Sequence, residues 1–325
     1  MKSLIFSFLV LAATISVFGQ TPTPSPKPVN VETIVSQAEQ QISNYREAFN
    51  NLLAEETKTF EDFNKKGETK ERRVIESNFI VYQSVKDPTI ISEYRNVIKV
   101  DGKAVTDNEQ RTQDFFEKVL KSATAEKELE RIQNESNRYD KTLDISGLTL
   151  HQAPILAAHI RPAFNFELVG QDLIDGVEVY VISYAQKTKS PFVIFNDDQP
   201  TSNQLWISFD FDLPGAIKNA NVFLRGKFWI DKQTFQIWRE EREVIVQPNN
   251  SDKQFITIRT DFDYQKSDFG ILTPKKITLS DFDIKAKDKG REISTSLDSR
   301  ATFEYTKFSK SDVEVKANDV DSPKN

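Results

Sequence analysis

The chain has 325 residues, no cysteine and a formal net charge of −6, with a pI near 5.3. The lack of cysteine excludes disulfides, thiolate catalysis, a lipid-anchored cysteine and cysteine-ligated zinc. The acidic balance argues against nucleic acid as a partner, because phosphates require a basic surface. There are 24 phenylalanines and only 10 glycines, which favours a β-rich fold, since aromatic side chains suit pleated, half-buried surfaces.

The N-terminus has the pattern of an export signal. Lys2 precedes an apolar run from Leu4 to Val17, and residues 1–19 are therefore predicted to be a signal peptide. Residues 20–29 are proline-rich and predict an extended linker. The apolar run is too short for a good membrane span and has no counterpart downstream. We therefore expect an exported protein, periplasmic or extracellular, with no transmembrane segment in the mature chain.

Residues 30–309 are predicted to form a single domain, followed by a disordered, charged tail over residues 310–325. Asn30 is a candidate N-cap for an amphipathic helix that ends near Glu56. The apolar residues of this helix recur at three- and four-residue spacing and indicate a packing face: Ile34, Ala38, Ile42, Tyr45, Phe49 and Leu52.

Alternating residues predict three strands between Thr57 and Val105, with turns at residues 65–68 and at Asp101-Gly102. A helical insertion follows over residues 106–163. Thr106 and Glu109 have the spacing of a capping box and predict the start of its first helix.

The second helix of the insertion is predicted from Ala125 to Tyr139, with Leu129 and Ile132 facing inward and a charged outer surface. The last part of the insertion, Leu148 to Ala163, is apolar and proline-containing. Proline interrupts helices, so we predict a short helix there, placed to cover the mouth of a cavity.

From Phe164 onward the sequence is nearly all strand, with turn signals at Asp175-Gly176 and at residues 288–290. About ten strands in hairpin-length succession predict an antiparallel sheet. The fold class is therefore mainly β with helices (α+β). We expect a curved antiparallel sheet, or unclosed β-barrel, covered by the N-terminal helix and the internal insertion.

The clearest hairpin runs from Asn221 to Gln247, with a predicted turn over residues 231–234. Alternation places Phe228 and Ile230 on one face and Trp229 on the other. We predict that Phe228 and Ile230 face inward, because charged residues share the face of Trp229. Large apolar groups on both faces indicate a sheet that curls around an interior.

The residues that usually carry catalysis are sparse. His151 and His159 are the only histidines, and their eight-residue spacing does not make them neighbours on one helix. The sequence contains no G-x-S-x-G turn for a nucleophilic serine. We therefore predict a non-catalytic protein without a cofactor or metal.

Three Asp-Phe-Asp triplets, at residues 210–212, 261–263 and 281–283, place two carboxylates on one strand face. Such pairs suit a calcium site or the acid and base of a glycosidase. They equally suit a plain solvated face opposite a packed one.

The hairpin also resembles a known family. Gly226 to Thr234 (GKFWIDKQT), with Ile237 and the charged residues 239–241, is similar to the hairpin signature of LolA-like periplasmic lipoprotein-carrier half-barrels. Residues 273–277 and 301–308 resemble the strands that follow in that superfamily.

Three further segments, at residues 94–97, 100–105 and 132–139, resemble a group of uncharacterised secreted bacterial proteins. That likeness spans most of the mature chain and implies no activity.

The LolA-like resemblance implies an unclosed barrel whose concave face, under helices, holds acyl chains. The predicted ligand-binding residues are Phe166, Val179, Leu224, Phe228 and Ile230. The resulting hypothesis is a periplasmic carrier or binding protein for a lipid, a lipoprotein acyl chain or another amphiphile. Two alternatives stay open: an envelope module that binds or senses another protein, and a hydrolase that uses the strand-face carboxylates.

Overall fold

The computed structural model describes residues 30–50, 52–88, 90–106, 108–140, 147–196, 204–249, 251–287 and 292–310. The predicted signal peptide, linker and most of the predicted tail lie outside these residues. The helices are α1 (Val31–Phe49), α2 (Asn108–Leu120) and α3 (Ala125–Ser136). None of the helices in the described ranges has the length and apolar character needed to cross a membrane.

Most of the chain forms strands. Their bounds are β1 (Leu52–Phe63), β2 (Thr69–Gln83), β3 (Ile91–Val100), β4 (Lys103–Ala104), β5 (Phe164–Ile174), β6 (Val177–Gln186), β7 (Val193–Phe195), β8 (Ile207–Phe209), β9 (Asn221–Asp231), β10 (Ile237–Gln247), β11 (Phe255–Lys266), β12 (Leu272–Lys287) and β13 (Glu292–Lys310).

Eleven strands form one sheet in the order β4-β3-β2-β1-β13-β12-β11-β10-β9-β6-β5, with every described pairing antiparallel. The two end strands are not paired with each other in the described residues, so the sheet is unclosed. The predicted α+β fold with a curved antiparallel sheet is confirmed. β7 and β8 form a separate two-stranded parallel ladder, which differs from the expectation that all strands would be antiparallel.

Helix α1 begins as predicted, with the Asn30 side chain accepting a hydrogen bond from the Glu32 N–H (3.0 Å). The predicted end near Glu56 is wrong, because α1 ends at Phe49 and Leu52 begins β1. Leu52 lies three residues after Phe49, a spacing that fits a helix, yet burial from Leu52 onward alternates with the two-residue period of a strand.

The insertion divides between the two faces of the sheet. Helices α2 and α3 pack against the outer face, where Tyr94 of β3 stacks on Phe115 with ring centroids 5.8 Å apart. The Ser136 hydroxyl accepts a hydrogen bond from the Arg95 N–H (3.1 Å) and donates one to the Glu93 carbonyl (3.1 Å). Helix α3 therefore covers the part of the β3 edge that β4 does not pair, which protects the sheet from unwanted strand pairing.

Helix α3 ends at Ser136 rather than at Tyr139, and its buried residues differ from the prediction. Ile132 is fully buried, whereas Leu129 is only half-buried. The missed residue is Glu128, which is fully buried and accepts hydrogen bonds from Ser84 and from the Val85 N–H. The Glu128 carboxylate is hydrogen-bonded to the connection between β2 and β3, and this charged side chain is therefore buried in the core.

Residues 148–163 do not form the predicted short helix. They contain two 3-10 turns, Pro154–Leu156 and Arg161–Ala163, each with a proline in its first positions. Ala153 precedes the first turn with a left-handed φ of 42°. The segment is nevertheless buried, and it lies on the opposite side of the sheet from α2 and α3.

Candidate ligand-binding face

The inner face is defined here as the sheet face that packs against α1 and residues 148–163, which together are called the cover. Directly paired residues of neighbouring strands share a face, so the strand register traces one row across eight strands. The row consists of Ile182, Phe228, Glu240, Phe262, Ile277, Phe303, Lys58 and Ile75. All eight side chains are buried. Two of them, Glu240 and Lys58, are charged.

Four of the five predicted ligand-binding residues lie on the inner face. Leu224, Phe228 and Ile230 are fully buried in one apolar cluster, and half-buried Phe166 packs against it. Alternation along the hairpin therefore puts Phe228 and Ile230 on the covered side. Buried residues of the cover that join this cluster are Ile34, Val35, Ala38, Ala153, Ile155, Leu156, Ile160 and Ala163.

Val179 does not join the other four. It pairs with Asp231, and its neighbour Val181 pairs with Trp229, so Val179 lies on the outer face beside Trp229. It is fully buried there in the cluster that contains Trp229 and Trp238. The even-numbered positions of β9 and the odd-numbered positions of β6 occupy different faces, and only the observed register could reveal this.

The β1–β3 half of the inner face holds a buried charge cluster. The Arg95 side chain donates to Glu56 (2.8 Å) and forms an ion pair with Glu93 (2.8 Å). Lys58 forms an ion pair with Asp140 (2.6 Å). Burial lowers the pKa of Lys58 and raises that of Asp140, even though the two groups are paired.

Glu93 shows the opposite balance. Burial acts to raise the pKa of its carboxyl group, but Arg95 and the backbone N–H groups of Thr149 and Leu150 outweigh burial and hold that pKa below its usual value. The Arg95 guanidinium also lies over Phe79, 5.3 Å from the ring centroid. This end of the face therefore combines ionised groups with aromatic walls.

A second buried group of charged residues, the ion pair of Glu240 and Arg242, lies on β10. Arg242 donates to Glu240 Oε1 from Nε (2.9 Å) and from Nη2 (2.7 Å). The Tyr184 hydroxyl also donates to Glu240 Oε1, at 3.3 Å. Burial raises the pKa of Glu240, while Arg242, Tyr184 and the Ala153 N–H of the cover oppose the increase. Oε2 of Glu240 has no partner of good hydrogen-bond geometry among the described residues.

Neither the buried charge cluster on β1–β3 nor the buried ion pair on β10 was predicted from the sequence. Residues 239–243 read Arg-Glu-Glu-Arg-Glu, so their alternation carries no signal for which of them faces inward. On β1, Glu56 and Lys58 alternate with threonines, a pattern typical of a solvated strand face. Only the strand register shows that these charged residues face inward, because Glu240 pairs with Phe228 and Lys58 pairs with Phe303.

The three aspartate triplets do not meet at one site, although Asp212 of the first lies close enough to Asp281 of the third to help raise the pKa of the Asp281 carboxyl group. Asp261 is bonded to Arg259 (3.0 Å) and Asp263 to Arg239 (2.7 Å), whereas Phe262 lies between them on the inner face. Residues 210–212 follow β8 in a loop. In the described part of the chain, no group of three or more potential metal-ligating side chains is arranged around one point.

The two histidines also lie in different surroundings. His159 Nε2 is 2.8 Å from the Leu205 carbonyl oxygen, and its ring packs edge-on against Phe192. His151 lies in the cover, where burial lowers its pKa.

No protein-family model matches the sequence. A comparison with curated proteins also found no match.

Among the solved structures that are similar to this chain, three have 8–11% sequence identity. A DUF1329 family protein from Desulfovibrio piger has 11% identity and a TM-score of 0.33, covering 89% of this chain and 95% of that one. A putative outer membrane lipoprotein-sorting protein domain from Vibrio parahaemolyticus has 10% identity and a TM-score of 0.35, with 89% and 96% covered. A LolA superfamily protein from Nitrosomonas europaea has 8% identity and a TM-score of 0.32, with 88% and 96% covered. These overlaps are loose, so the fold assignment rests on the strand order and register described above.

Proposed function

We propose that the protein is an exported, non-catalytic binding or carrier protein for an amphiphile, whose apolar chain lies between the inner face and the cover. The ligand would contact the apolar half of the face, at Leu224, Phe228 and Ile230. These residues are fully buried beneath the cover, and together they offer the apolar, concave surface that acyl chains require.

The observation that carries this proposal is the way in which the cover is attached. In the described residues, the main-chain hydrogen bonds of positions 154–161 run within the segment, such as Leu156 N–H to the Ala153 carbonyl (3.0 Å), while the Ala153 N–H bonds to the Glu240 side chain. Side chains of the sheet and apolar contacts connect most of the cover to the sheet, and at the end of the cover the Ala163 carbonyl accepts from the Lys187 N–H just after β6 (2.9 Å). The cover can therefore move away without breaking any strand pairing, at the cost of exposing apolar surface that a bound chain would cover again.

Native mass spectrometry of the purified chain, together with lipid extraction, tests the proposal. We expect a co-purified or added amphiphile to bind with a stoichiometry of one per chain. Phe228→Asp should abolish uptake or folding, because it buries a carboxylate beside Glu240. A folded Phe228→Asp variant with full uptake, or a wild-type chain that takes up no amphiphile, would refute the proposal.

A second candidate function is binding of an envelope protein at the edge of the sheet. Strand β5 has no partner on its outer side among the described residues, and its side chains Val169 and Leu173 are 54% and 63% exposed. An open strand edge with exposed apolar residues can pair with a strand of another protein. Cross-linking in an envelope extract should recover a reproducible partner for the wild-type chain and not for a Val169→Lys variant.

A further inference from the structure

The β1–β3 half of the inner face binds the cover differently from the apolar half. All three polar atoms of Thr149 are bonded to side chains from three separate elements. Its N–H donates to Glu93 of β3 (2.8 Å), its carbonyl accepts from Tyr45 of α1 (2.7 Å), and its Oγ1 lies 2.8 Å from the hydroxyl of Tyr305 of β13.

The contacts continue along the segment. The Leu150 N–H donates to the same Glu93 oxygen (3.2 Å). The Gln152 side chain is hydrogen-bonded to Tyr264. The Ala153 N–H donates a hydrogen bond to the Glu240 carboxylate, which acts to lower the pKa of that group. Residues 149–153 lie in neither helix nor strand, and polar groups of four of them are bonded to side chains of α1 and the sheet: Thr149, Leu150, Gln152 and Ala153.

This arrangement is costly as a way of fixing a loop. Glu93, Arg95 and Glu56 are all buried, and well-packed apolar residues usually stabilise a core as well as a buried ion network does. Carboxylate acceptors and tyrosine donors directed at consecutive backbone groups can, however, also recognise the main chain of a bound peptide.

We propose that Glu93, Tyr45 and Tyr305 form a binding site for a polypeptide segment in a turn conformation, and that Thr149 and Leu150 of the chain itself, which lie in a turn, occupy this site in the present structure. The site is separate from the apolar subsite of the proposed function, because it lies on α1, β3 and β13. A partner segment enters by displacing the chain's own residues.

The surroundings define the chemistry of the partner segment. Two successive free N–H groups are needed for Glu93, and a serine or threonine hydroxyl is needed for Tyr305. Leu150 is 3% exposed within an apolar cluster, so an aliphatic residue must follow the hydroxyl. The nearby acidic groups are Glu56, Glu93 and Asp140 and the basic ones are Lys58 and Arg95, a net charge of −1 that disfavours an acidic segment.

A peptide in trans tests the proposal. The probe is fluorescein-labelled peptide with the sequence of Gly147 to Ala157 (GLTLHQAPILA), titrated into the full chain carrying Thr149→Ala and followed by anisotropy. The variant weakens the chain's own segment by one hydrogen bond while the peptide keeps its threonine. We expect saturable binding, about fivefold tighter than to the wild-type chain.

The matched control changes the peptide and leaves the protein unchanged. N-methylation at the threonine and at the following leucine removes the two donors to Glu93 and should abolish binding. Equal binding of the methylated peptide, or no saturable binding to a folded Thr149→Ala chain, would overturn the proposal.

If Thr149→Ala does not fold, amide hydrogen exchange of the wild-type chain provides the decision. The Thr149 and Leu150 amides should exchange faster when excess peptide displaces the chain's own segment. Unchanged exchange at both amides in the presence of excess peptide would overturn the proposal equally.

Discussion

The hydroxyl of Tyr305 lies 2.8 Å from Oγ1 of Thr149, a residue 156 positions earlier in the chain. Tyr305 belongs to β13 in the middle of the sheet, and Thr149 belongs to the cover. The contact joins two elements that share no strand pairing. Both residues are almost fully buried, with exposed fractions of 2% and 1%, so neither group can exchange its partner for bulk water while the cover is in place.

Tyr305→Phe should therefore loosen the cover more than the sheet. Removing the hydroxyl leaves Thr149 Oγ1 buried without this partner, and we expect a loss of about 1–2 kcal/mol in the free energy of unfolding. Amide exchange should accelerate at Thr149 and Leu150 while the amides of β13 stay protected. Tyr180→Phe, at a half-buried tyrosine on β6, serves as the control and should change neither quantity. Acceleration spread evenly over cover and sheet would show that the contact does not hold the cover specifically.

The buried pair of Glu240 and Arg242 on β10 predicts a large difference in the free energy of unfolding between a single and a double variant. Arg242→Met leaves Glu240 buried without its cation, and we expect the free energy of unfolding to fall by about 3–5 kcal/mol. The double variant Glu240→Leu with Arg242→Met replaces the pair by apolar groups and should recover most of this loss. Urea unfolding of the three chains measures both effects. A double variant as unstable as Arg242→Met would mean that the pair itself stabilises the fold.

Gly226 allows β9 and Tyr184 of β6 to approach closely on the inner face. A Cβ atom at this position would overlap the Glu241 carbonyl oxygen and would lie 2.5 Å from the Tyr184 hydroxyl oxygen. A backbone carbonyl in a paired strand cannot move aside, so Gly226→Ala should destabilise the chain by about 1–3 kcal/mol. Gly170→Ala on β5 is the matched control, because no atom lies within 4 Å of its added Cβ. Equal stability of the two variants would contradict the observed packing.

Asp281 on β12 predicts a pH dependence of stability. Burial raises the pKa of its carboxyl group to about 6, against an opposing hydrogen bond from the Phe282 N–H and with help from the carboxylates of Asp298, Asp212 and Asp283. The native state favours the protonated form. This contribution is therefore complete below about pH 4 and is lost as the pH rises through about 6.

Asp281→Asn should remove the loss of stability that the ionisation of Asp281 causes as the pH rises. At about pH 8 we expect the variant to exceed the wild-type chain by about 1 kcal/mol in unfolding free energy, a value reduced from the full shift because the group is partly solvated. At about pH 4 the two chains should be nearly equal. Urea unfolding at both pH values measures the difference, with exposed Asp252→Asn as the control. A constant difference at both pH values would show that Asp281 does not titrate in this range.

Alternation predicted the hairpin around Gly226 well, because large apolar and charged residues take turns along β9. The position of Phe228 and Ile230 on the inner face of the sheet followed from that pattern. Alternation failed for β10, where five consecutive charged residues hide the inward-facing Glu240 and Arg242. Their placement depends on pairing with β9 and β11, and local sequence does not encode that register.

The limits of prediction were similar at the cover. The apolar character of residues 148–163 indicated burial, and the prolines indicated interruption. The conformation depends on bonds to Glu93, Tyr45 and Tyr305, which lie far away in the sequence. Likewise, the buried carboxylate of Glu128 became recognisable only through its donors on the connection between β2 and β3.

Photolabelling tests whether an apolar chain lies between the inner face and the cover. A fatty acid with a diazirine near its methyl end is bound to the wild-type chain and irradiated, and the labelled residues are mapped by peptide mass spectrometry. The predicted result is labelling of Leu224, Phe228 or Ile230 together with cover residues such as Ile155. Labelling confined to exposed positions such as Val169, Leu173 and Trp206 would show that the apolar chain does not bind between the inner face and the cover.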